Sequence, residues 1–261
     1  MNRLQARFCA LKKQGKKAFI AFITAGYPSL SITEKLALRF AAAGVDVIEL
    51  GVPFSDPMAD GPAIQEASQF ALGKGVNLKK ILQSVRNIRR RSNVPVCLMT
   101  YYNPVFCFGE EKFAKAASSS GVDGVIIPDL PPEEGRFFLR VASGYGINVI
   151  YFVSPTTSPG RIRYITDVAR GFIYYVSLTG VTGARSKLPA GLAGDLRRIK
   201  SITFKPVCVG FGVSSRRQVR ELSRVADGVI VGSAIINKIK ENIGRKDLVG
   251  EVTAFVSRLR G

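Results

Sequence analysis

Eight short apolar runs rich in β-branched residues alternate along the chain with eight amphipathic stretches, and no linker divides them. That pattern predicts an α/β fold, a (β/α)8 TIM barrel formed as a single domain over residues 1–261. Two further observations agree. A length of 261 residues suits one such barrel. Runs this apolar fit parallel strands covered on both faces. An open doubly wound sheet is the competing architecture. It would use fewer strands and a glycine-rich first turn, and Ala25-Gly-Tyr-Pro28 is not a dinucleotide fingerprint.

The strands are predicted at Ala18–Thr24, Val45–Leu50, Val94–Tyr101 and Gly124–Pro128 in the first half. In the second half they fall at Asn148–Val153, Phe172–Ser177, Val207–Gly210 and Gly228–Val231. Apolar residues at 3.6-residue spacing predict helices over Ser31–Ala43, Leu78–Arg91, Glu111–Ser119 and Glu133–Ser143. Four more follow at Gly160–Ala169, Leu192–Ser201, Ser215–Val225 and Lys246–Leu259. Pro62 suits the first turn of a further helix, and Gly232-Ser-Ala234 opens another. The longest irregular segment, Leu178–Gly191, follows the sixth strand and is a candidate lid.

Composition narrows the function. Hydrophobic residues make up 46% and charged residues 22%, which is globular rather than disordered. No apolar run approaches the roughly 20 residues of a membrane span, and no signal-peptide core is present, so a cytoplasmic protein is expected. Cys9, Cys97, Cys107 and Cys208 are scattered without metal-ligand spacing. Cys97 and Cys208 read as small buried hydrophobes of a reducing compartment. The formal charge of +19 raises nucleic acid as a partner. The cations are spread along helices, however, as solvated faces are, so no nucleic-acid role is expected.

With no histidine in the chain, proton transfer near neutrality falls to carboxylates, Tyr, Cys or Lys. The run Glu49-Leu-Gly-Val-Pro-Phe-Ser-Asp-Pro-Met-Ala-Asp-Gly-Pro-Ala-Ile-Gln65 places two acids a loop apart at a strand end. Strand alternation puts Val45, Val47 and Glu49 on one face. If that face is inward, Glu49 tops an apolar column where desolvation favours its neutral form. Asp60 can cap the helix opened by Pro62, or accept a ring N–H and stabilise positive charge there. Glycine clusters follow the last three strands: Gly180-Val-Thr-Gly183, Gly210-Phe-Gly212 and Gly232-Ser-Ala234. Such loops suit a phosphate, held by backbone N–H groups at a helix start. Phe22, Met99, Tyr101, Phe152, Tyr174 and Phe211 fall near strand mouths, where they could wall a pocket for a flat aromatic group.

These motifs, together with Pro128-Asp-Leu-Pro131, resemble the tryptophan synthase alpha subunit family along essentially the whole chain. The resemblance implies a lyase that cleaves indole-3-glycerol phosphate to indole and glyceraldehyde 3-phosphate. It implies no metal and no cofactor in this subunit, with pyridoxal phosphate (PLP) in a partner beta subunit of an αββα complex. Under it, Glu49 and Asp60 are the catalytic carboxylates and Tyr174 supports them. Gly183, Phe211, Gly212, Gly232 and Ser233 contact the phosphate. Phe22, Met99, Tyr101 and Phe152 wall the indole pocket, and Thr182 is a lid residue that reaches Asp60. Partner contacts are expected around Pro53–Asp56 and Tyr102–Phe106. Tyr27 stands where many members carry Asp, Met58 where many carry Leu, and the chain is more basic than is usual. A non-catalytic scaffold that only activates a beta subunit is the alternative, as is another phosphosugar enzyme on the same barrel.

Overall fold

A computed structural model describes residues 1–176, 191–210 and 212–261. Eight parallel strands close into a barrel in sequence order, with β8 returning to β1. They are β1 (Ala18–Thr24), β2 (Val47–Gly51), β3 (Val96–Met99), β4 (Gly124–Ile126), β5 (Asn148–Val153), β6 (Ile173–Tyr175), β7 (Val207–Gly210) and β8 (Gly228–Val231). Register is set by alternation, since a one-residue slip would exchange every inward side chain for an outward one. Phe22 pairs with Glu49, Glu49 with Cys97, Phe152 with Tyr174 and Tyr174 with Cys208.

Two apolar layers follow from that alternation. Ile20, Val47, Cys97, Ile126, Ile150, Cys208 and Ile230 fill the interior. Phe19, Ala21, Ile23, Ile48 and Leu50 face outward, onto the helices. The outer helices include α2 (Leu30–Ala42), α3 (Pro62–Gly73), α4 (Leu78–Arg89) and α6 (Glu110–Ser120). In the second half come α7 (Arg136–Gly144), α8 (Pro159–Val168), α9 (Leu192–Lys200), α10 (Arg216–Ser223), α11 (Ser233–Asn242) and α12 (Leu248–Arg260). Among the described residues no helix is long and apolar enough to cross a membrane.

Two helices lie outside the sequence-predicted set: α1 (Arg3–Lys13) and α5 (Tyr102–Phe108). The first closes the N-terminal end of the barrel. Asn2 and Gln5 form its capping box, and Leu4, Phe8 and Leu11 pack into the interior layer. Burial of each such side chain contributes about 1.5–3 kcal/mol. The three buried apolar positions of α1 lie among polar and charged neighbours and form only a weak stripe in the sequence. In α5, Pro104 occupies the first turn, and Asp129 accepts the Tyr102 N–H at 2.9 Å. The second strand starts two residues later than expected. Val45 therefore packs in the outer layer and is not part of the column below Glu49.

Candidate active site

Glu49 sits on the inner face of β2, one pleat above Val47, at the C-terminal end of the barrel. It is fully buried, and neither carboxyl oxygen has a hydrogen-bond partner among the described residues. Burial, then the charge of Asp60, pushes its pKa up to about 8. A carboxyl in this setting is protonated at neutral pH and close to the point of release, as a group that both gives and takes a proton requires.

Asp60 lies in the loop between β2 and α3 and is also buried. Gly61 stands at the N-cap of α3, and no side chain, that of Asp60 included, makes a capping hydrogen bond there. Burial raises the Asp60 carboxyl to about 6, and a hydrogen bond from Tyr101 opposes that rise. The same tyrosine hydroxyl accepts the Ala59 N–H at 2.9 Å, and its ring stacks on Phe54 with centroids 4.9 Å apart. Tyr101 thus clamps both the backbone and the acid of this loop. The two carboxyls differ by roughly two pKa units, so one proton is held at Glu49 while Asp60 carries charge.

Tyr174 is buried on the inner face of β6, its ring 4.8 Å from that of Phe152. Burial first, then the nearby Glu49, raises its hydroxyl far above the usual range, so it stays neutral. The ring needs a gap in the adjoining strand. A Cβ at Gly210 would come within 2.6 Å of the Tyr174 hydroxyl. Gly51 and Gly232 make comparable room for Phe22, whose ring would lie 2.5 Å and 3.2 Å from Cβ atoms at those positions. Met99 ends β3 beside Gly51 and is only partly buried.

At the top of β8, Gly232 caps α11 without a side-chain hydrogen bond, so the first N–H groups of that helix lack the usual capping acceptor. Ser233 is the buried first residue of this helix. Gly212 has φ of +48°, a backbone open mainly to glycine. Together these can receive an anion through main-chain dipoles. Phe211, Thr182 and Gly183, with nearly all of the expected lid over 178–191, lie outside the described residues. Among those described, no cluster of His, Cys, Asp or Glu is arranged to hold a metal ion.

Residues missed from the sequence are of two kinds. Gly51 gives the site its shape, and the signal was a glycine ending a strand. Thr24 carries a buried hydroxyl with no partner among the described residues, and the signal was strand alternation continued one step beyond Phe22.

Comparison with known proteins agrees with this geometry. The family model for the tryptophan synthase alpha chain matches residues 8–259. The tryptophan synthase alpha chain of Geobacter sulfurreducens is 50% identical over 260 residues, covering 100% of this chain and 98% of that one. That of Caldanaerobacter subterraneus is 48% identical, covering 100% and 99%. The crystal structure of the alpha subunit from Legionella pneumophila superposes with a TM-score of 0.93 at 40% identity, over 100% of this chain and 97% of that one. An alpha chain in a structure of the α2β2 complex of Pyrococcus furiosus gives 0.87 at 40% identity, over 93% and 97%. The chain belongs to the tryptophan synthase alpha chain family, lyases that cleave indole-3-glycerol phosphate in tryptophan biosynthesis and leave PLP to the beta subunit.

Proposed function

We propose that Glu49 and Asp60 perform this cleavage, in one catalytic domain spanning residues 1–261. The observation that carries the assignment is the fully buried Glu49 carboxyl, without a hydrogen-bond partner among the described residues, beside an acid of lower pKa. Protonated Glu49 delivers its proton to indole C3, giving an indolenine whose N–H+ is stabilised by ionised Asp60. The Glu49 carboxylate then takes the proton of the side-chain hydroxyl next to C3. The carbon–carbon bond breaks, its electrons restore the aromatic ring, and the aldehyde forms. Glu49 ends protonated, ready for another turnover. Tyr174 stays neutral and packs against the reacting groups.

Phe22, Met99, Tyr101 and Phe152 form the walls around the indole. Gly212, Gly232 and Ser233, with Gly183 and Phe211, hold the phosphate and so orient the scissile bond. Thr182 belongs to a lid that excludes water from the cavity. The protein works in the cytoplasm, in an αββα complex with a PLP-dependent beta subunit that receives the indole. Its contact surface includes Pro53–Asp56 and Tyr102–Phe106. Met58 and Phe106, both strongly exposed, support an apolar docking face there. Because one loop carries Asp60 and faces the partner, docking activates cleavage.

The test is turnover of indole-3-glycerol phosphate with and without a beta subunit. Indole release that rises on adding the beta subunit is expected. No release under either condition overturns the proposal.

A further inference from the structure

Thr24 ends β1, two residues beyond Phe22 on the same interior face. Its partner across the ladder is Gly51, two residues beyond Glu49. It therefore stands one pleat nearer the mouth than the reacting carboxyl. The other neighbour of β1 is β8, which leads into Gly232 and the uncapped start of α11. Thr24 is 1% exposed, and its hydroxyl oxygen has no hydrogen-bond partner among the described residues. Burying a hydroxyl unpaired costs more than its hydrogen bond normally returns, so the position is unfavourable for the empty fold. Valine has nearly the same shape, high strand propensity and no such cost.

Resting on the function proposed above, we infer that Thr24 is a substrate-contacting residue whose hydroxyl hydrogen-bonds an oxygen of the glycerol chain, between indole and phosphate. Three features fix that choice of atom. Phe22, one of the indole walls, lies one pleat below on the same strand, and Met99 ends the strand beyond Gly51. The phosphate cradle lies on the adjacent strand end. The interior neighbour, Gly51, has no side chain with which to compete. The contact also gives specificity, since a ligand without chain hydroxyls leaves Thr24 as unsatisfied as the empty site does.

The experiment compares wild type, Thr24→Val and Thr24→Ser with two ligands. These are indole-3-glycerol phosphate and 3-(indol-3-yl)propyl phosphate, which keeps the ring and phosphate but lacks the chain hydroxyls. Thr24→Val is expected to lower kcat/KM for the substrate by about 3- to 12-fold, the range for one neutral hydrogen bond. It should leave the Kd of the propyl analogue unchanged within about twofold, and Thr24→Ser should restore most of the loss. Tm of Thr24→Val is expected to equal or exceed that of wild type. A fall in Tm, an equal loss for both ligands, or no loss for either overturns the inference. Wild-type enzyme inactive on the substrate would instead overturn the function on which it rests, and the Tm comparison would still show whether the hydroxyl has a structural partner.

Discussion

Carboxylates occur at both ends of this barrel, and the two ends treat them oppositely. At the base, Asp46, Asp123 and Asp227 each precede a strand and accept an N–H from the strand before it. The donors are Phe19 at 2.7 Å, Val96 at 2.9 Å and Val207 at 3.1 Å. Each also meets a cation: Arg7 on Asp46, Arg3 and Arg89 on Asp123, Lys17 and Lys200 on Asp227. For Asp227, burial raises the pKa, but Lys200, the Val207 N–H and Lys17 outweigh it and hold the group below its usual value. For Asp123 burial prevails over its partners, and the group lies somewhat above. At the mouth, among the described residues, Glu49 and Asp60 have no ion pair and Glu49 has no hydrogen bond. The base uses acids to tie strands and helix α1 together. The mouth keeps two buried acids without a counter-cation among the described residues, Glu49 unsatisfied and Asp60 held by Tyr101, a cost to folding that makes sense only if a reaction uses them.

The largest expected effect breaks the mouth alone. Glu49→Gln should lower kcat by about 10²- to 10⁴-fold, the span for one general acid/base, with no loss of Tm. Near-normal turnover would remove Glu49 from the chemistry.

The converse change is at the base. Asp123→Ala leaves Arg3 and Arg89 facing each other without their common anion and frees the Val96 N–H. It should cost about 3 kcal/mol in urea unfolding while kcat of the folded enzyme changes little. A hundredfold drop in kcat at unchanged stability would erase the distinction between the two ends.

The pH dependence of stability separates them by sign. Glu49 has a folded pKa of about 8 against an ordinary 4.5, and Asp60 about 6 against 3.8. Between these values the folded protein holds protons that the unfolded chain has lost. Their contribution is therefore complete at low pH and disappears as pH rises toward 8, by up to roughly 1.4 kcal/mol per pH unit per group. Asp227, whose pKa is lowered, contributes above its ordinary value and loses that contribution as pH falls. Urea unfolding from pH 5 to 8 should show wild type losing stability relative to Glu49→Gln. Parallel curves would contradict the environment assigned to Glu49.

The smallest expected effect is at the clamp on Asp60. Tyr101→Phe should reduce kcat/KM by about 3- to 12-fold, as loss of one hydrogen-bonding hydroxyl implies. Unchanged kcat/KM would mean that the loop holds Asp60 without it.

Most of the barrel was legible because its strands are apolar throughout and its main helices are long and amphipathic. Helix α1 was not, since three apolar residues among cations gain meaning only from the open barrel end they close. The site was legible where chemistry is local in sequence, as in the Glu49–Gln65 run. The choice between cap and functional acid for Asp60 was hidden, because the residue that stands at the N-cap of α3 is decided by the backbone path. So was the service of Gly210 to Tyr174, which depends on a neighbouring strand. Thr24 was hidden for a different reason. A threonine at a strand end is ordinary until its hydroxyl proves to have no partner among the described residues.

The pH profile of kcat/KM for indole-3-glycerol phosphate tests the central claim most directly, since both acids must be in opposite protonation states. A bell is expected, rising near pH 6 as Asp60 ionises and falling near pH 8 as Glu49 does, with no upper limb in the residual activity of Glu49→Gln. A wild-type profile flat from pH 5 to 9, or one whose upper limb survives in Glu49→Gln, would contradict it.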